Sequence, residues 1–127
     1  MLLWFAITGA AEAAAAEQCN DSHEVITNAV RGDMIGKARF NGEVVTGLSL
    51  KGLCTSGIAT RSGVAWIDWT QVDNIYPSGD NDNLTLQIPW GDKVDIVTFK
   101  GDPDVGRGIF MALGLLQLDC NTHAKFC

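Results

Sequence analysis

Four cysteines in so short a chain constrain the fold more than any other feature. Cys19, Cys54, Cys120 and Cys127 are the complete set in 127 residues. A domain of about 110 residues buries roughly two-thirds of the surface that its unfolded chain exposes, so covalent staples add materially to a modest core. An even number of cysteines in a small domain reads as two disulfides, for which three connectivities exist. No C-x-x-C pair occurs, so the spacing points neither to a zinc ribbon nor to a thioredoxin-type redox site. Of the three connectivities, Cys120–Cys127 with Cys19–Cys54 is the one expected. It would pin the C-terminal tail to a helix end and the N-terminal end of the domain to a sheet.

The N-terminal residues point to the compartment in which such bridges form. Leu2-Leu3-Trp4-Phe5-Ala6-Ile7 begins a short apolar run, and Ala14-Ala15-Ala16 supplies an A-x-A cleavage site. Residues 1–16 are therefore read as a signal peptide and 17–127 as a single exported domain, periplasmic or extracellular. The apolar run is too short to span a bilayer, which takes about 20 residues, so no integral membrane segment is expected after cleavage. No Lys or Arg precedes Arg31, so the usual basic lead is missing. The competing reading is an alanine-rich helix.

Nine basic residues oppose fifteen acidic ones, a net charge of −6, and the cations stand singly along the chain. Nucleic acid demands a basic patch that displaces counterions, so it is not an expected partner.

The segment from Met34 to Phe99 reads as short strands separated by turns. Asn41-Gly42 divides Ile35–Phe40 from Glu43–Leu50, and Asn-Gly tolerates the positive φ angles of a tight hairpin. Ser62-Gly63 divides Gly57–Arg61 from Val64–Trp69. Leu84, Leu86 and Ile88 alternate with polar residues, and Gly91-Asp92 turns the chain into Val94–Phe99. The period then changes. Asp102 is a good N-cap and Pro103 suits the first helical position. Val105, Ile109, Ala112, Leu113, Leu116 and Cys120 recur at helical spacing. The expected fold class is α+β: a small antiparallel meander or partly open barrel of six to seven strands with one C-terminal amphipathic helix. Asp21 to Val30 fits a short helix or a strand equally well.

Strands followed by one C-terminal helix resemble the layout of pleckstrin-homology-like domains and their GRAM relatives, most closely over Ile58 to Cys120. Trp66-Ile67-Asp68-Trp69-Thr70-Gln71-Val72-Asp73-Asn74-Ile75 is similar to the strand and turn that lead into a further hairpin there. The resemblance implies a ligand- or lipid-binding module, with phosphoinositide binding through cations at the first hairpin loop. Here only Lys37 and Arg39 flank that loop, with Glu43 beside them, so the lipid function is not carried over.

Candidate site residues are few. Trp66 and Trp69 differ by three, so one should face the core and the other should be exposed or covered by the helix; with Trp90 they are candidates for an aromatic contact site. Asp80-Asn81-Asp82-Asn83 resembles the start of a calcium loop but lacks the glycine and distal glutamate, and reads as a solvated connection. Neither His23 nor His123 has a nucleophile beside it, and a Cys/His metal site using them is not expected. Ser62 and Ser78 lack a nucleophile elbow, and nothing in the spacing of Asp68, Asp73 and Asp95 makes them a catalytic group. The chain is therefore expected to be a non-enzymatic exported binding module without cofactor or metal. A protein is the expected partner, as for an inhibitor, an immunity-type protein or an envelope accessory. The rival readings are a small-ligand or lipid-binding module and, behind it, a carboxylate-based hydrolase.

Overall fold

The computed structural model describes residues 22–122. The expected signal peptide, Cys19, Asp21, His123 and Cys127 lie outside them. Among the described residues, helix α1 covers 22–34, eight strands follow, and helix α2 spans Pro103–Thr122. The fold class is α+β, with one helix more than expected. The helix reading of the ambiguous segment wins because His23, Thr27, Val30 and Met34 are all buried, at helical spacing along one face of α1. Two of these four are polar, which hid the period.

Strands β1 (Ala38–Phe40), β2 (Glu43–Val44), β6 (Tyr76–Asp80), β7 (Asn83–Trp90) and β8 (Lys93–Lys100) form a five-stranded antiparallel sheet in the order β2-β1-β8-β7-β6. Strands β3 (Gly47–Lys51), β4 (Thr55–Thr60) and β5 (Gly63–Asp68) form a three-stranded one. Asn41 and Gly42 adopt φ values of 50° and 87°, as an Asn-Gly hairpin requires. The expected single strand Glu43–Leu50 is instead broken at a corner. Val45 donates to the Ala38 carbonyl in one sheet, while Thr46 donates to Ala59 in the other. β6 escaped the sequence reading because all five of its residues are exposed and no apolar alternation marks it. Strands β5 and β6 are not paired, so the sheets do not close into a barrel. Asn81 and Asp82 form the β6–β7 turn, in keeping with the solvated connection expected there.

The core lies between the sheets and α2. Leu48, Ile58 and Ile67 meet Leu84, Leu86, Ile88, Val97 and Phe99, with Ile109, Leu113 and Leu116 covering them from α2. Asp102 caps α2 by accepting from the Asp104 amide at 2.9 Å. Gly106 allows the helix its approach to the β6–β7 turn: a Cβ there would lie 1.8 Å from the Asn81 carbonyl oxygen. No helix among the described residues is long and apolar enough to cross a membrane.

A polar clasp holds the crossover from β5 to β6. Asp68 caps a single 3-10 turn, Trp69–Gln71. The Gln117 side-chain amide donates to the carbonyls of Val72 and Asp73, and that of Asn121 to Trp69 and Val72. These residues are one helical turn apart on α2 and satisfy backbone groups that no strand partner reaches.

Candidate functional site

The outer face of the three-stranded sheet is built from small residues and one large one. Strand pairing aligns Gly47, Ala59 and Val64 in one row, then Ser49, Gly57 and Trp66, then Lys51, Thr55 and Asp68. Side chains alternate across a strand, so these rows share a face while Leu48, Ile58 and Ile67 point to the core. The Trp66 indole lies across Gly57: a Cβ on Gly57 would come within 2.7 Å of Trp66 Cζ3 and 2.6 Å of Ser49 Oγ. The Lys51 ammonium stands 5.5 Å from the ring centroid. Trp66 remains 44% exposed and Val64 51% exposed. The result is an aromatic platform on a nearly side-chain-free floor, rimmed by Lys51 and Asp68.

The three tryptophans do not line one groove. Trp69 is fully buried, and its indole nitrogen donates to Ser56 Oγ at 2.7 Å. It begins the 3-10 turn rather than ending β5, but it faces inward, so the spacing argument correctly separated it from Trp66. Trp90, at the end of β7 in the other sheet, donates to Asp95 at 2.8 Å and carries Lys93 over its ring. Asn41 also donates to the buried Asp95, which completes a lock between two hairpins.

The acidic candidates are not assembled. Asp68 is occupied by its cap, Asp95 by Trp90 and Asn41, and Asp73 is exposed. Glu43, which the sequence reading passed over, does more. It accepts from Ser62, Arg61 and Thr60, tying β2 to the β4–β5 turn. The Ser62 hydroxyl foremost, and then Arg61, hold its carboxyl below the ordinary glutamate range.

The cysteines correct the expected connectivity. Cys54 is bridged to Cys120, 66 positions apart, with Cα atoms separated by 5.8 Å. Cys54 therefore does not pair with Cys19, nor Cys120 with Cys127. The expectation failed because α2 runs its C-terminal end back beside the β3–β4 loop, a long-range neighbourhood invisible in local spacing. Against this bridge lies His23, fully buried. Its Nδ1 donates to the Leu53 carbonyl at 2.5 Å, and its Nε2 is bonded to the Asp119 carboxylate. A carbonyl only accepts, so Nδ1 is the donor in the bond to Leu53.

No family model, curated protein or solved structure matches this chain.

Proposed function

We propose that this chain is a non-enzymatic binding module of an oxidising compartment, which docks another protein on the Trp66 platform. The exposed indole on its glycine floor carries the reading. Interface hot spots are enriched in tryptophan and sit amid small or polar contacts that exclude water. An indole already laid against the sheet has little rotamer freedom left to lose on binding. Lys51 and Asp68 supply a rim of both charges. The buried Cys54–Cys120 bridge supports export, because disulfides persist where no reducing system removes them. The pleckstrin-homology-like reading belongs to the same proposal, supported by strands that precede a single C-terminal helix.

The test is crosslinking in the exported fraction of the native host. A photoreactive residue at Val64 should trap one protein, and Trp66→Ala should abolish the adduct without lowering the melting temperature. The same residue at Met111, exposed on α2, is the control. Equal capture by Trp66→Ala, or capture from position 111 alone, contradicts the reading.

One observation favours a second reading. Lys37, Arg39 and Lys100 line a single shallow depression with Thr98 and Asn83 on the five-stranded sheet. Lys100 is a third cation that chain order does not group with the other two. An anionic headgroup is the ligand such a set would take, through charge-assisted bonds. Salt-sensitive cosedimentation with anionic vesicles, lost in Lys37→Glu/Arg39→Glu, would favour it over the platform. No such binding is expected.

A further inference from the structure

The corner around His23 holds more chemistry than a structural bridge needs. The donor atoms of His23, Cys54 and Cys120 lie within 4.8 Å of one another, and all three residues are buried. The Leu53 carbonyl, which receives His23 Nδ1, is also 4.0 Å from Cys120 Sγ, so one backbone oxygen borders both the imidazole and the sulfur. On the far side of the ring, Asp119 bonds Nε2. Metal-ligating histidines are held in this way, with a carboxylate on the nitrogen remote from the ion fixing the ring and its tautomer.

We propose that reduction of the Cys54–Cys120 bridge converts this corner into a site for a zinc-class divalent cation, ligated by both thiolates and by His23 Nδ1. The bridge accepts two electrons and two protons from a dithiol, which is itself oxidised to a disulfide. The two sulfurs then part to the roughly 3.8 Å that separates thiolates on a zinc tetrahedron, a displacement within reach of χ1 rotation. Metal uptake releases both thiol protons. Nδ1 is free to ligate in the imidazole tautomer whose single proton sits on Nε2, facing Asp119. A water or the Leu53 carbonyl completes the tetrahedron. The sequence concealed this set because its members are 31 and 66 positions apart, with no C-x-x-C or H-x-x-H spacing. The site would make the domain two-state toward redox conditions: bridged when oxidised, metal-clamped when reduced. It is independent of the Trp66 reading but not of the compartment: an oxidising compartment holds the bridged form, and the metal form arises where a dithiol reductant reaches the domain.

The test uses the full chain carrying Cys19→Ser and Cys127→Ser, so that only the two buried cysteines can contribute thiolates. Cobalt(II) is titrated under anaerobic conditions before and after reduction with a phosphine. The reduced protein should take up one equivalent, with a thiolate-to-cobalt charge-transfer band and the visible bands of tetrahedral cobalt, and zinc should displace it. The oxidised protein should show neither band. Asp119→Asn should weaken the affinity about 10- to 100-fold while keeping the spectrum, as expected for a positioning residue. Melting of the reduced parent with and without zinc gives a second measure, and zinc should raise the midpoint. Reduced protein with no charge-transfer band, or with a midpoint that zinc leaves unchanged, overturns the proposal.

Discussion

Gly57 decides how Trp66 is displayed. A methyl group there would overlap both the indole and Ser49 Oγ, whereas a strand glycine otherwise costs backbone entropy that alanine would save. Gly57→Ala is therefore expected to shift the Trp66 indole N–H resonance and leave those of Trp69 and Trp90 in place. An unmoved Trp66 signal would mean that the ring does not lie on Gly57. Glu43 gives a pH prediction. Its folded-state pKa is depressed, so the unfolded chain binds its proton first as pH falls. The stability that Glu43 contributes is complete above the unfolded value of about 4.3. It is lost as pH drops through the lower folded value. The melting-temperature advantage of the wild type over Glu43→Gln should shrink across that window, and a constant difference would contradict it. Some of this was legible in advance: the Asn41-Gly42 turn has a local chemical signature, and a three-residue spacing separated Trp66 from Trp69. The role of Glu43 was not, because its partners lie 17 to 19 residues downstream and meet it only through the β2–β3 corner.

In α2 the glycines are not equivalent. Gly106 meets the Asn81 carbonyl, whereas a Cβ on Gly114 would find nothing within 4 Å. Gly114→Ala should stabilise the domain by up to about 1 kcal/mol through helix propensity. Gly106→Ala should destabilise it despite the same propensity gain, because the helix must lift from the β6–β7 turn. Thermal melts of the two variants check this, and equal stabilisation would show that α2 is seated elsewhere. The helix itself was readable from its cap and its apolar period, and Leu113 and Leu116 are buried as that period required. α1 was readable only as one of two alternatives, because its buried face includes His23 and Thr27, and β6 was not readable, because it buries nothing. Peptide mapping without reduction should recover Cys54 linked to Cys120; a Cys54 peptide joined to Cys19 would contradict the structure. Removing the bridge by Cys54→Ala/Cys120→Ala should cost about 2–5 kcal/mol.

At the scale of the molecule, the antiparallel α+β character followed from strand patterning and the change of period after Phe99. The division into two sheets did not, since it rests on Val45 and Thr46 bonding to different sheets and on a crossover held by Gln117 and Asn121. Both devices bond to backbone carbonyls, which have no side-chain signature. The Trp66 face stays open because α2 packs on the core side, where Ile109, Leu113 and Leu116 join the buried cluster. The fold thus presents one aromatic platform on the face turned away from the core. The central claim is that this platform supplies the binding energy for a protein partner. Calorimetric titration of the protein trapped at position 64 against wild type and Trp66→Ala tests it most directly. The account predicts at least about a 30-fold loss of affinity in the variant, equivalent to 2 kcal/mol for a hot-spot residue. An affinity unchanged within about threefold would contradict it.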